Sequence, residues 1–108
     1  MFKENTISYL QAFARKDVEC LRALFAKGVT LSDWDIHVVG LDAVIAANLN
    51  IFNAVKTIGV TPVNIFLDGN TVVAELNIEI DGAKPLRIVD ILVFDRDGRI
   101  CAIRAYKG

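Results

Sequence analysis

Three residues that lie far apart in the chain, Tyr9, Asp33 and Asp90, carry side chains that could move a proton or stabilise a negative charge. Asp90 is the most informative of them because it interrupts the apolar face of a predicted strand over residues 86–94. An unpaired carboxylate is costly to bury, so such a group is paired, hydrogen-bonded or protonated. A protonated carboxyl in an apolar pocket can donate a hydrogen bond to a developing oxyanion. The alternative is a carboxylate satisfied by a loop amide or by a neighbouring arginine.

Asp33 stands near the end of a predicted strand over residues 29–34, where it flanks Trp34 together with Asp35. A carboxylate at a strand end and close to an aromatic ring can serve as a general base. Turns are rich in Asp, so a solvated turn acid is the alternative for both carboxyls. Trp34 is expected in the core, at an interface or in the wall of a pocket.

Tyr9 lies on the apolar stripe of a predicted first helix, where a buried hydroxyl usually finds a hydrogen-bond partner. Ordinary core packing is the alternative to a role of Tyr9 in chemistry.

Three further residues are candidates for the wall of a substrate pocket. Asn48 is a polar exception in the apolar stripe of the third predicted helix, which also contains Phe52, and Lys107 alternates with apolar residues near the C-terminus.

Helices in the first half of the chain and strands in the second half must position these residues. The apolar spacing predicts a first helix up to Ala14, a second from the N-cap Asp17 to a C′ residue at Gly28, and a third over residues 41–56. Residues 36–40 are expected to form a connection. From there the apolar period changes to two, and Asp-Gly turns separate the predicted strands, which span residues 60–67, 71–80, 86–94 and 100–106. Helices segregated from an antiparallel sheet indicate the α+β class, in one domain over residues 1–108.

Composition and charge exclude several classes of function. The 12 Lys and Arg residues nearly balance the 13 Asp and Glu residues, so binding to nucleic acid through phosphate neutralisation is not expected. No apolar run approaches the length of a membrane span, and the N-terminus has no signal-peptide pattern, so a cytoplasmic location is expected. Cys20 and Cys101 are expected to be buried free thiols, and with the single His37 they do not form a metal site.

Both faces of the predicted strand over residues 86–94 are largely apolar. One face of an antiparallel sheet usually meets water and alternates cleanly to polar residues. Helices can cover only one face of this sheet, and Val89, Ile91 and Val93 lie on the other. The pattern therefore predicts a homodimer in which a second copy of the chain packs on that outer face.

Several strings, in their order and spacing, make the sequence similar to the NTF2-like superfamily, and within it to the SnoaL-like and ketosteroid-isomerase-like branch. The resemblance covers nearly the whole chain. It implies a cystatin-like cone, in which three N-terminal helices pack on a curved and mainly antiparallel sheet around an apolar pocket. The strings are Tyr9-Leu10-Gln11-Ala12-Phe13-Ala14-Arg15-Lys16-Asp17, Leu24-Phe25-Ala26, Gly40 with Asp42-Ala43-Val44, and Val89-Asp90-Ile91-Leu92-Val93-Phe94 with Asp97-Gly98-Arg99-Ile100.

The resemblance implies a division of roles among the three residues. In ketosteroid isomerases a Tyr and a protonated Asp form the oxyanion hole and a second Asp is the base. By their places in the matching strings, Tyr9 and Asp90 correspond to the oxyanion hole. Asp33 corresponds to the base by its place at the end of the first predicted strand. The implied function is proton abstraction next to a carbonyl in a small apolar or carbonyl-containing ligand, without a cofactor or metal. The alternatives are a non-catalytic module for ligand binding or dimerisation, and a SnoaL-type cyclase or hydratase.

The sequence also departs from ketosteroid isomerases at three places around the expected pocket. The loop over residues 33–40 is shorter. Asn48 stands where a Tyr would hydrogen-bond to the oxyanion-hole Tyr, and Lys107 stands where a pocket aromatic is expected. These differences predict a pocket that is smaller and more polar than one built for a steroid.

Overall fold

Three helices and a six-stranded sheet make up the structure, a computed structural model that describes residues 1–108. Bulges shift the register of β1, β3 and β5 against their neighbours, and such irregularities bend a sheet. The predicted α+β class is confirmed, with a curved sheet and a core between sheet and helices. In chain order the elements are α1 (Phe2–Arg15), α2 (Val18–Leu24), β1 (Phe25–Ser32), β2 (His37–Val39), α3 (Leu41–Ala54), β3 (Ile58–Asp68), β4 (Thr71–Ile80), β5 (Leu86–Phe94) and β6 (Ile100–Lys107).

The strand order is β2-β1-β6-β5-β4-β3, so the short first hairpin joins the far side of the antiparallel meander. The predicted meander of β3 to β6 is confirmed. β1 runs parallel to β6, with Leu31 opposite Ile103. This single parallel pairing brings the end of β1 beside the strand that also pairs with Asp90, since Ala105 of β6 lies opposite Asp90.

The expectation of three N-terminal helices is wrong in one respect, because β1 and β2 precede α3 along the chain. The expected helix end at Gly28 is also wrong. Phe25 is extended (φ −87°, ψ 141°) and pairs with Ile100, so α2 stops at Leu24 and Gly28 lies inside β1. The predicted second-helix N-cap is confirmed, since the Asp17 side chain accepts a hydrogen bond from the Cys20 N–H at 3.1 Å.

The remaining boundaries differ by a few residues at the ends of the elements. The strands predicted over residues 71–80 and 86–94 have those bounds, and β3 and β6 are slightly longer than predicted. Residues 37–39 form a short strand in what was expected to be a connection. α3 ends at Ala54, two residues early, because Val55 adopts an extended conformation.

Both cysteines are free, as predicted. Each is partly exposed, so the expectation that they are buried is wrong. The seven-residue helix α2 turns only Leu21 fully into the core, and Cys101 lies at the bulge that interrupts the register between β5 and β6. None of the three helices has the length and the apolar character that crossing a membrane requires.

Lys16 joins α1 to the C-terminal end of α3. Its backbone is left-handed (φ 58°), which turns the chain sharply after α1. The Lys16 ammonium donates hydrogen bonds to the Phe52 carbonyl at 2.8 Å and to the Val55 carbonyl. These are carbonyls that a helix C-terminus leaves without an internal partner, and a cation is favourable there. Lys16 therefore fixes α3 against α1.

We expect Lys16→Met to lower the free energy of unfolding by about 1.5–3 kcal/mol, the usual loss for hydrogen bonds to a charged group. Methionine keeps the apolar stem but cannot donate to the two carbonyls. Urea unfolding followed by circular dichroism would measure the loss. The matched control is Lys56→Met, at an exposed lysine with no side-chain partner, which should change stability by less than about 0.5 kcal/mol. Equal effects of the two substitutions would contradict the capping role.

Candidate functional site

A cavity of about 690 Å³ lies between helices α1 and α3 and the inner face of the sheet. Of its 24 lining residues 19 are hydrophobic, so a ligand would be held mainly by apolar contact and oriented by the few polar groups. The prediction of a pocket smaller and more polar than one built for a steroid stays a prediction, but the wall itself is predominantly apolar. The reason is that β3, β4 and β5 contribute apolar side chains whose inward alternation continues to the strand ends. Five such residues of the wall were not among the predicted site residues: Val60, Ile78, Ile80, Leu86 and Ile88.

Asp90 occupies the inner face of β5 and is 7% exposed. The residues directly opposite it on the two neighbouring strands are Ala74 and Ala105. A methyl side chain has no hydrogen-bonding group, and no hydrogen bond or ion pair reaches the Asp90 carboxyl, so Asp90 faces the cavity without a protein partner. Burial alone raises the pKa of Asp90 from its ordinary 3.8 to about 7. Of the alternatives drawn from the sequence, a carboxylate satisfied by a loop amide or an arginine is excluded.

Tyr9 lies on the face of α1 that is turned toward the sheet, and it lines the same cavity. It is 6% exposed and packs against the rings of Phe13 and Phe25, with centroids 6.3 and 5.9 Å away. Burial and, to a smaller extent, the charge of Asp90 raise the pKa of the Tyr9 hydroxyl well above its ordinary 10.0. Tyr9 is therefore a neutral hydrogen-bond donor, close enough to Asp90 for the two groups to interact.

Asp33 follows directly after the last residue of β1 and also lines the cavity. Its Oδ1 accepts hydrogen bonds from the N–H groups of Asp35 (2.7 Å) and Ile36 (2.9 Å). This is an Asx turn, in which an Asp side chain closes a local loop. The turn fixes the carboxylate and leaves Oδ2 without a protein partner.

Trp34 and Lys107 lie together at the mouth of the cavity. Trp34 is 47% exposed and forms part of the wall, whereas Lys107 is exposed and lies outside the wall. The Lys107 ammonium lies 5.0 Å from the centroid of the Trp34 ring, in the geometry of a cation–π contact. The expectation that Lys107 points into the pocket is therefore wrong. It shares the inward face of Ile88, its partner in β5, but it lies at the end of its strand and covers Trp34 instead.

Asn48 and Phe52, one turn apart on α3, have different surroundings. Asn48 lines the cavity as expected, is 3% exposed, and its Nδ2 is enclosed without a hydrogen-bond partner. Phe52 does not line the cavity, so its assignment to the pocket is wrong. The ring of Phe52 packs edge-on against Phe13 of α1, with centroids 5.4 Å apart, because its face of α3 is turned toward that helix.

The polar part of the wall is entirely neutral or acidic. It comprises Asp33, Asp35, Asn48, Asn50 and Asp90, and no lysine, arginine or histidine. Negative ligands would therefore be repelled and receive no compensating ion pair. Nowhere in the chain do His, Cys, Asp and Glu side chains form a group of three or more that could hold a metal ion.

Comparisons with known structures show that this arrangement of helices and sheet is shared. A candidate SnoaL-like polyketide cyclase from Shewanella denitrificans superposes with a TM-score of 0.87 at 17% identity, over 98% of this chain and 89% of that one. A candidate ketosteroid isomerase from Kribbella flavida gives 0.83 at 16% identity, over 97% and 76% of the two chains. An epoxide hydrolase from M. tuberculosis similar to LEH gives 0.83 at 18% identity, over 97% and 80%. At these identities the likeness concerns the fold alone.

No match was found among curated protein sequences. The sequence does match one protein-family model, that of the SnoaL-like domain, over residues 7–103. This stretch contains Tyr9, Asp33, Asn48 and Asp90, and with them nearly all of the cavity wall. The fold and the family model agree with the resemblance seen in the sequence, and the chain belongs to the SnoaL-like domain family, with an NTF2-like fold.

Proposed function

We propose that this protein is an enzyme that abstracts a proton from the carbon next to a carbonyl group of a small apolar substrate. The observation that carries the proposal is the unpartnered carboxyl of Asp90, which faces an apolar cavity beside the neutral hydroxyl of Tyr9. Asp33 supplies a fixed carboxylate in the wall of the same cavity. Two neutral donors and one free carboxylate oxygen are the groups that enolisation requires.

In the proposed reaction Oδ2 of Asp33 removes the proton from the substrate carbon. The electron pair of the broken C–H bond moves into a carbon–carbon double bond, and the carbonyl oxygen becomes an enolate oxygen. Tyr9 and protonated Asp90 donate hydrogen bonds to that oxygen as its charge develops. Asp33 then returns the proton to another carbon of the conjugated system, which gives an isomer of the substrate.

The same proton abstraction can lead to more than one kind of product. An enolate that attacks a second carbonyl of its own molecule gives a ring, so a cyclase would use these groups with a different substrate. Isomerisation remains the simpler proposal because it needs no second reacting centre. The neutral and acidic wall supports an uncharged substrate in either case.

Removing the base should abolish most of the reaction. With 2-tetralone as substrate in D₂O, proton NMR would follow exchange of the acidic protons next to the carbonyl. We expect Asp33→Asn to slow the enzyme-catalysed exchange by a factor on the order of 10²–10⁴, the usual effect of a positioned general base. Asp90→Asn keeps a donor of similar shape, so it should lose only part of the rate. It should lose less than Asp33→Asn.

The control for this experiment is Asp68→Asn, which makes the same change at an exposed carboxyl outside the cavity. If the wild-type protein does not accelerate exchange, or if Asp33→Asn and Asp68→Asn exchange alike, the enzyme proposal is wrong. A non-catalytic ligand-binding module would then take its place.

The raised pKa of Asp90 makes the stability of the protein depend on pH. Between the ordinary pKa of 3.8 and the folded-state pKa of about 7, the folded state holds a proton that the unfolded state releases. The contribution of Asp90 is therefore fully present below about pH 4 and is lost as the pH rises toward 7 and beyond. The loss is about 4 kcal/mol, at about 1.4 kcal/mol per pH unit.

Urea unfolding of the wild type and of Asp90→Asn between pH 4 and 8 measures this contribution, because other titrating groups cancel in the difference. We expect the stability of the wild type to fall relative to that of Asp90→Asn as the pH rises. Parallel curves for the two proteins would mean that Asp90 titrates as an ordinary exposed acid. The proposed role of protonated Asp90 as a hydrogen-bond donor to the enolate oxygen would then be wrong.

We also propose that the protein acts as a homodimer, joined through the outer face of the sheet. The partly exposed Val89, Ile91 and Val93 lie on this face. Across the strands Ile91 lies in register with Val73 and, beyond it, with Phe66, which is 60% exposed. The outer face thus carries a continuous apolar strip for which burial against a second copy would be favourable.

The free thiols of Cys20 and Cys101 suit a reducing compartment, and we propose the cytoplasm as the location of the protein.

Ile91→Lys should convert the dimer to a monomer at micromolar concentration, because it places a charge at the centre of the apolar strip. Sedimentation equilibrium would measure the mass, and circular dichroism would verify the fold. Leu49→Lys is the control, since Leu49 is 39% exposed on α3 and lies away from the sheet. A wild-type protein that sediments as a monomer would overturn the proposed dimer.

A further inference from the structure

The side-chain amide of Asn48 is the polar group in the cavity whose presence the fold does not explain. Asn48 occupies a core position of α3, in the same apolar stripe as Val44, which is fully buried. An apolar residue would fill this position at no cost. Instead Nδ2 is enclosed and makes no hydrogen bond, while the residue lines the cavity wall.

An enclosed donor without a partner lowers stability, because its hydrogen bonds to water are lost on folding and are not replaced. The usual penalty corresponds to about a 5- to 150-fold shift of the folding equilibrium. Proteins keep such groups where a ligand or an ordered water supplies the missing partner. The terminal torsion of Asn is soft, so rotation of the amide can turn Nδ2 toward the cavity that the residue lines.

We propose that Asn48 is a specificity-determining residue, which donates a hydrogen bond to a second oxygen of the substrate. This second oxygen is distinct from the one that meets Tyr9 and Asp90. The inference rests on the proposed function, from which it takes the cavity as the substrate site and the carbonyl oxygen that meets Tyr9 and Asp90. The substrate class that follows is an uncharged, mostly apolar molecule that carries a carbonyl and, apart from it, a further hydroxyl, ether or carbonyl oxygen.

The acidic wall determines which oxygens are acceptable. Asp33, Asp35 and Asp90 line the cavity, and no basic side chain does. A carboxylate or phosphate as the second oxygen-bearing group would meet repulsion from the wall. Asn48 is neutral and can donate, so it suits a neutral oxygen and discriminates against molecules that lack one. A site with a buried donor rejects such analogues because the donor is then left unpaired.

Stability and binding should change in opposite directions when Asn48 is replaced by Leu, which has a similar volume. We expect Asn48→Leu to raise the melting temperature by about 4 °C or more, since it removes an unpaired buried donor. The matched control is Asn53→Leu, at an exposed position of the same helix outside the cavity. It reports the gain from helix propensity alone and should give a clearly smaller rise.

Binding is measured by fluorescence with 2-naphthol and with 2,6- and 2,7-dihydroxynaphthalene. The hydroxyl that all three compounds share is the probe of Tyr9 and Asp90. The second hydroxyl lies at a different position across the cavity in each of the two diols. For the wild type, at least one of the diols should bind about 2- to 10-fold more tightly than 2-naphthol, the usual net effect of one hydrogen bond. In Asn48→Leu this advantage should disappear, so that the Kd values of the diols and of 2-naphthol become equal.

The outcomes separate this inference from the proposed function. If Asn48→Leu is no more stable than Asn53→Leu, or if it keeps the diol advantage, Asn48 is not the recognition residue, whatever the tetralone exchange shows. A wild type that binds 2-naphthol and both diols equally also overturns the inference. If none of the three naphthols binds the wild type, both the inference and the use of Tyr9 and Asp90 as an oxyanion hole are wrong.

Discussion

The burial of the Asp90 carboxyl is the condition on which the chemistry of the cavity depends. Alanines occupy the opposing positions on both neighbouring strands, so no side chain of the sheet compensates the buried carboxyl. The carboxyl responds by keeping its proton up to a pH of about 7. It is then a donor rather than an anion, as is Tyr9 beside it. This state exists only while α1 and α3 cover the inner face of the sheet. The contacts between those helices therefore serve the function as well as the stability of the fold, because they keep Asp90 buried.

Much of the architecture is encoded locally and was accessible from the sequence. The period-two alternation and the Asp-Gly turns were sufficient for β4 and β5, whose bounds were predicted to the residue. The Asp17 cap is a short-range interaction, and it forms as the sequence indicates. Asp90 was recognisable because one carboxyl in an otherwise apolar strand face conflicts with burial. Tyr9, Asp33, Trp34 and Asn48 were also expected at the cavity, and all four line it.

The failures concern interactions that have no local signature. A helix continuing to Gly28 was reasonable from spacing, but pairing of Phe25 with the distant Ile100 stabilises a strand there instead. The stripe that contains Asn48 also contains Phe52, and spacing cannot show that the two face the cavity and α1 respectively. Lys107 alternates with cavity residues, yet its position at the strand end lets it reach the ring of Trp34. In each case tertiary packing decided between options that the local sequence does not distinguish.

The parallel pairing of β1 with β6 has a consequence for the order of folding. Asp33 is placed by β1, whose parallel partner β6 lies some 70 residues further along the chain, whereas the pairings within β3 to β6 join only consecutive strands. Closing so long a loop costs entropy before its contacts are made, and contacts of this kind slow folding. The meander can form first and present Asp90 on an incomplete sheet. We expect the carboxylate of Asp33 to join it only when the first hairpin docks on β6, which would make the assembly of the site and the completion of the fold one late event.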